Sequence, residues 1–292
     1  MFRKGFDPKK KKYRDVLGVP MAYVEHGEGD PIVLVHGNPT SSYLWRKVIP
    51  ELSGVGRCIA PDLIGMGDSA KISKGPNTYR FGDHYQYLKA FLDVMDVREN
   101  VTLVGHDWGG ALAFDWGRRH PDAVNGVAYF ETIVTPMTWD DWPEAATPIF
   151  EAMRSEAGEE IILRKNVFVE RILPSSVLSP LSDEDFDVYR EPYVEVGESR
   201  RPTLTWPREI PLDGEPADVV AIVEANERWM EGGEVPKLFI NADPGSILVG
   251  RQREVCRAWK NQEEVTVAGI HFIQEDSGPE IGRAISAWLT AL

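Results

Sequence analysis

Two patterns of apolar positions alternate along this chain. Short runs rich in β-branched residues, "PIVLVHG" (31–37), "RCIAPDL" (57–63), "VTLVGHD" (101–107) and "AVNGVAYFE" (123–131), read as buried strands. Between them, "SSYLWRKVIPEL" (41–52), "GDHYQYLKAFLDVMDV" (82–97) and "WGGALAFDWGRRH" (108–120) carry apolar residues at helical spacing. Ser41 or Ser42 is placed to cap the first helix, and Pro121 stops the third. Strand, helix, strand, helix, strand, helix, strand is the signature of a mostly parallel sheet with helices on both faces.

The rhythm breaks after residue 131. From Thr132 to Pro216 no clear buried strand appears. Aromatics, prolines and acids dominate, as in "TWDDWPEAATPIFEAM" (138–153) and "LSDEDFDVYREPYVEV" (181–196), and the stretch reads as several short helices. The α/β rhythm then returns with a helix at 217–230, a strand at 235–243, a helix at 248–260, a strand at 263–269 and a helix at 280–292. The expected division is an α/β core of residues 1–131 and 217–292, interrupted by a helical cap of residues 132–216. An insertion at the carboxyl end of a central strand lies over the crevice where open α/β sheets bind ligands. There it would exclude water and wall an apolar pocket.

Composition narrows the partners. The 292 residues are 42% hydrophobic and 27% charged, as in globular domains, with a net charge of −14. Such a chain repels polyanions, so nucleic acid is not an expected partner, and neutral small molecules are the default substrates. No apolar run reaches the roughly 18–20 residues that span a bilayer, and the N-terminus "MFRKGFDPKKKKYRDV" lacks the apolar stretch of a secretory signal. The basic run Lys9 to Lys12 reads as a solvated surface segment. Cys58 and Cys256 stand in neither a metal-binding nor a redox spacing, so a reducing, cytoplasmic setting is expected, with no metal site.

The chemistry concentrates in "LVGHDWGG" (103–110). Its frame, glycine, any residue, nucleophile, any residue, glycine, is the strand-to-helix turn that usually presents a serine. Here the central residue is Asp107. An aspartate in this place can also cap the following helix, and the helix N-terminus favours its ionised form. Gly109 and Gly110, taken alone, read as close helix–sheet packing. A carboxylate that attacks an acyl carbon yields an anhydride and gains little. One that attacks a saturated carbon yields an alkyl ester, which water can then cleave. Asp107 therefore predicts displacement at an sp³ carbon bearing a leaving group, followed by a hydrolysis that needs a base and an oxyanion hole.

His271, in "AGIHFIQED" after the last predicted strand, is the expected base. His36 and His106 read as turn or supporting residues, and His26, His84 and His120 as structural or exposed. Either Glu131 or Asp243, each ending a strand, can orient His271. Asp243 precedes Pro244-Gly245 and has a ready role in a turn. Glu131 ends the apolar run "VAYFE", where a carboxylate is costly without a partner, so Glu131 is preferred. Beside the nucleophile, Trp108 offers an indole N–H and Asn38 an amide NH₂, two neutral donors suited to a departing halide.

These residues resemble the haloalkane dehalogenase family of the α/β-hydrolase superfamily. The likeness runs through "HGNPTSSYLWR" (36–46), "CIAPDLIGMGDS" (58–69), "GHDWGG" (105–110), "TWDDWPE" (138–144), "YREPY" (189–193), "PKLFINADPG" (236–245) and "GIHFIQEDS" (269–277). The resemblance implies the α/β-hydrolase fold, and hydrolysis of haloalkanes by water to an alcohol, a halide and a proton, without a cofactor. It implies Asp107 as nucleophile, His271 as base, Glu131 as the catalytic acid, and Asn38 with Trp108 as the halide-binding pair. It places the oxyanion hole at the backbone N–H groups of Asn38 and Trp108. Trp142, Phe150, Phe168 and Ile172 are expected as cap residues walling the pocket. The stretch "KISKGPNTYRF" (71–81) is longer than usual for the family and is expected to be a surface loop without chemical consequence.

Epoxide hydrolases share the Asp-Trp elbow. They usually carry an aromatic where Asn38 stands and need two cap tyrosines at the leaving oxygen, for which Tyr189 and Tyr193 are the candidates. Fluoroacetate dehalogenases need an arginine where Trp108 stands.

Overall fold

In the computed structural model, which describes residues 6–72 and 74–292, eight strands form one sheet. They are β1 (Lys12–Val16), β2 (Val19–His26), β3 (Pro31–Val35), β4 (Arg57–Pro61), β5 (Val101–Asp107), β6 (Val124–Thr132), β7 (Lys237–Pro244) and β8 (Gln262–Gly269). Their spatial order is β1-β2-β4-β3-β5-β6-β7-β8. The pairs β1/β2 and β2/β4 are antiparallel and every other pairing is parallel. The central strand β5 is buried at all seven positions, which is why "VTLVGHD" reads as a continuous apolar run rather than an alternating one.

The strands β1 and β2 lie outside the strands read from the sequence, although Met21–Val24 of β2 is a buried apolar run. Four of the five residues of β1 are exposed, so this edge strand carries no buried run. The expectation of a solvated basic segment fails at Lys11. Its ammonium lies 2.5 Å from Asp62, and both side chains are almost fully buried. Asp62 also accepts the backbone N–H groups of Ser42 (2.8 Å) and Asp68 (2.8 Å), so Lys11 completes a buried carboxylate that ties the N-terminal segment to two loops of the core. Residues 1–5 of the basic N-terminal stretch lie outside the described residues, as does Ser73.

The first helical region is a tight 3₁₀ turn, Ser42–Lys47, followed by Ile49–Leu52, and Ser41 is its cap, accepting the Tyr43 N–H. The last helix begins at Ile273 rather than at 280. It is bent at Ser277, whose dihedrals leave the helical region just before Gly278 and Pro279. Pro279 therefore lies at a kink inside the helix rather than before its start.

Between β6 and the helix Ala217–Gly232 the described chain adds no strand to the sheet. It holds helices Thr147–Arg154, Asp183–Arg190 and Arg201–Glu209, with wide helical turns at Glu159–Arg164 and Phe168–Ile172. Strand β6 itself runs to Thr132, so the first residue assigned to the insertion belongs to the sheet. The expectation that residues 71–81 form only a surface loop is also corrected. Tyr79 is fully buried, and Phe81 opens the helix Phe81–Val94 with its ring centroid 5.9 Å from that of Trp108. No helix among the described residues is long and apolar enough to cross a membrane.

Candidate active site

Asp107 closes β5 and Trp108 opens the helix Trp108–Arg119. The turn between them is sharp enough to put Asp107 in the left-handed region, at φ 54°, a conformation that costs a non-glycine residue about 1–3 kcal/mol. Its surroundings hold it there. A Cβ at Gly109 would overlap the Val35 carbonyl, and one at Gly110 would overlap Thr132, so both glycines are required by the close packing of helix on sheet. The Asp107 side chain makes no capping bond to the helix. One oxygen instead accepts the backbone N–H of Asn38 at 2.6 Å, and the other lies 3.6 Å from His271 Nε2. Burial works against ionisation, but His271, His106 and the Trp108 backbone N–H hold the carboxyl below its usual range.

His271 follows β8. Its Nδ1 lies 3.3 Å from Glu131 Oε2. Glu131, at φ 42°, is 1% exposed and accepts the backbone N–H groups of Ser246 (3.1 Å), Ile247 (2.8 Å) and Leu248 (3.2 Å). These donors orient the carboxylate and offset the cost of burying it. Asp243, the alternative partner, is an exposed residue of β7, and Glu131 is the carboxylate that faces the ring. Burial alone would lower the His271 pKa, yet Asp107 and Glu131 on either side raise it to about 9.

The neighbouring histidines are neutral. Burial lowers His106 to about 3, and its Nε2–H donates to the His271 carbonyl at 2.8 Å. Burial lowers His36 to about 4. Its Nε2 accepts the Leu63 N–H at 2.9 Å while Nδ1–H donates to the Gly37 carbonyl, which anchors the turn that carries Asn38.

Asn38 is 2% exposed, and neither polar atom of its amide has a partner among the described residues. A buried amide in that state asks for a ligand or water. Trp108 is 2% exposed, with Trp206 stacked on it (centroids 4.7 Å apart, planes at 20°) and His84 stacked in turn on Trp206 (4.2 Å, 18°). Nothing local in "RPTLTWPRE" marks Trp206 as the plate behind Trp108, 98 positions away.

Asn38, Asp107, Trp108 and His271 meet at one cavity of about 350 Å³. Trp142, Phe150, Phe168 and Ile172 all line it, as does Ile133, which follows β6. Pro207, Ile210 and Ile247 add apolar wall that the sequence did not single out. Neither Tyr189 nor Tyr193 reaches the cavity. The Tyr189 hydroxyl donates instead to Glu275 at 2.5 Å. No group of three or more His, Cys, Asp or Glu side chains suited to a metal stands together among the described residues. The arrangement offers an ionised carboxylate, a histidine backed by a second carboxylate, and unpartnered amide donors, all facing an apolar chamber.

Comparison with known proteins gives a consistent result. Residues 30–277 match the family model described as alpha/beta hydrolase fold. A haloalkane dehalogenase of Sphingobium indicum is 54% identical over 284 residues, 97% of this chain and 96% of that protein. One from Mycolicibacterium smegmatis is 50% identical over 281 residues, 95% of this chain and 90% of that protein. The crystal structure of haloalkane dehalogenase DbeA from Bradyrhizobium elkani superposes with a TM-score of 0.91 at 40% identity, covering 97% of this chain and 98% of that one.

Proposed function

Because the chain belongs to the haloalkane dehalogenases of the α/β-hydrolase fold, we propose that it hydrolyses neutral haloalkanes to an alcohol, a halide ion and a proton, with Asp107 as the nucleophile. The observation that carries this reading is the Asp107 carboxylate at an apolar cavity beside the buried, unpartnered amide of Asn38. Residues 133–216 act as the cap that closes the cavity from water. The two free, buried thiols Cys58 and Cys256 fit a cytoplasmic setting.

In the first step the free oxygen of Asp107 attacks the carbon opposite the halogen. The carbon–oxygen bond forms as the carbon–halogen bond breaks, and the electron pair leaves with the halide. The Asn38 amide and the Trp108 indole N–H donate to the departing halide, which lies in an environment of low polarity where each such bond counts more than in water. The Trp206 stack keeps the indole plane from tilting away. The product of this step is a neutral alkyl ester on Asp107.

In the second step His271 removes a proton from water. The hydroxide so formed attacks the Asp107 carboxyl carbon, and the backbone N–H groups of Asn38 and Trp108 stabilise the oxyanion. Collapse breaks the bond from the carboxyl carbon to the alkoxy oxygen, which leaves as the alcohol with the proton of the added hydroxyl. The carboxylate is restored and His271 gives its proton to solvent. Glu131 holds the ring by Nδ1 and stabilises the imidazolium. In the resting site two carboxylates raise His271. Esterification removes one of those charges, so the His271 pKa falls and the ring is left in the neutral form that can take a proton from water.

Halide release from 1-bromobutane, 1-iodohexane and 1,2-dibromoethane tests the reading, with Asp107→Asn as control. Release by the wild type alone supports it. No release, together with turnover of styrene oxide, moves the assignment to epoxides, although Tyr189 is engaged elsewhere.

A further inference from the structure

The base is held by the cap as well as by the core. A single cap carbonyl, that of Ser176, accepts both the His271 N–H (3.1 Å) and the Phe272 N–H (3.2 Å). Asp276, one turn further on, accepts the backbone N–H groups of Leu178 (3.0 Å) and Ser179 (3.2 Å). Phe272 is fully buried in a small apolar cluster with Leu173, Val177 and Tyr189 of the cap and Tyr43 and Leu44 of the core. Below it Glu275 takes a bidentate pair from Arg46 (2.5 and 2.6 Å) and the Tyr189 hydroxyl. Residues 173–179 and 271–276 are therefore joined through polar bonds on both backbones and through a shared apolar cluster.

The nucleophile is held differently. Its carboxylate is bonded by the Asn38 N–H and its carbonyl by the Thr132 hydroxyl, both from the core. The His271 backbone is fixed on its carbonyl side by His106 of β5 and, among the described residues, on its N–H side by the cap segment alone. Displacing that segment moves the base and leaves the attacking carboxylate in place.

We propose that residues 173–179, anchored by Asp276, form a positioning element for His271, so that this segment, although Ser175 and Ser176 also line the cavity, acts on the rate of ester hydrolysis far more than on alkylation. The inference rests on the roles given above to Asp107 and His271. Asp276 touches no reacting atom and acts only through the backbone it holds.

The test is single-turnover rapid quench with 1-bromobutane on Asp276→Ala, which removes both acceptors, and Asp276→Asn, which keeps an acceptor oxygen. In Asp276→Ala the bromide burst stays within about twofold of wild type, while decay of the butyl ester slows on the order of tenfold, as a misplaced catalytic group predicts. The butyl-enzyme then accumulates in intact mass, and Asp276→Asn recovers most of the decay rate. Tyr189→Phe, which removes one hydroxyl from the same clamp, shows a smaller loss of the same kind. Equal slowing of both steps, or unaltered ester decay in folded Asp276→Ala, overturns the clamp alone. Absence of bromide release from the wild type removes the clamp and the dehalogenase reading together.

Discussion

The backbone N–H of Asn38 lies 2.6 Å from Asp107 Oδ1, in a turn where the preceding Gly37 leaves no room for a side chain. One donor thus serves both halves of the proposed reaction. It holds the carboxylate while its other oxygen attacks, and it meets the oxyanion when the ester is cleaved. The first prediction follows directly. A Cβ at Gly37 would overlap the Asp107 carboxylate. Gly37→Ala is expected to lower halide release by at least about a hundredfold. Circular dichroism and the halide assay read this out together, and near-normal activity in the folded variant would remove the argument from Gly37.

The second prediction separates two carboxylates. Glu131 faces His271 and receives three backbone N–H groups, whereas Asp243 is exposed. Glu131→Gln leaves an amide NH₂ among donors and removes the charge that stabilises the imidazolium. Its ester hydrolysis rate is expected to fall by about 10²–10⁴. Asp243→Asn is expected to stay within about twofold in steady-state turnover, as an exposed substitution should. The reverse ranking would give the orienting role to Asp243.

The third prediction concerns pH. Burial opposes the charge on His271, but Asp107 and Glu131 raise its resting pKa to about 9. Alkylation of Asp107 removes one of these charges, so the ester hydrolysis rate should rise with pH through a value below 9 and level off before it. A rate still climbing above pH 9 would contradict this. Stability runs the opposite way with pH. The folded-state pKa lies above the unfolded value of about 6.5, so the contribution of His271 is fully present below about pH 6.5 and is lost as pH rises through about 9. Denaturant unfolding of the wild type and His271→Phe should show a stability gap that narrows from pH 6 to pH 10.

How far the sequence discloses the molecule depends on how local each cause is. Strands β3 to β7 announce themselves because burial on both faces leaves each a short run of mainly apolar residues, and the elbow announces itself because its glycines and its acid fall within a few positions of one another. Strand β1 does not, because four of its five side chains face water. Lys11 looks like any surface lysine until Asp62, 51 positions away, is folded against it. Glu131 and Asp243 both end strands, and only the tertiary arrangement turns one toward His271. The Trp206 plate behind Trp108 and the Ser176 carbonyl on His271 leave no local trace, since each depends on how the insertion packs against the core.

The covalent ester is the centre of the account, and intact-mass spectrometry of His271→Phe after incubation with 1-bromobutane tests it most directly. The variant keeps the nucleophile and its donors but lacks the base, so the account predicts protein carrying a single butyl group, with peptide mapping placing it on Asp107. Unmodified protein after long incubation, when the wild type releases bromide from the same substrate, would contradict it.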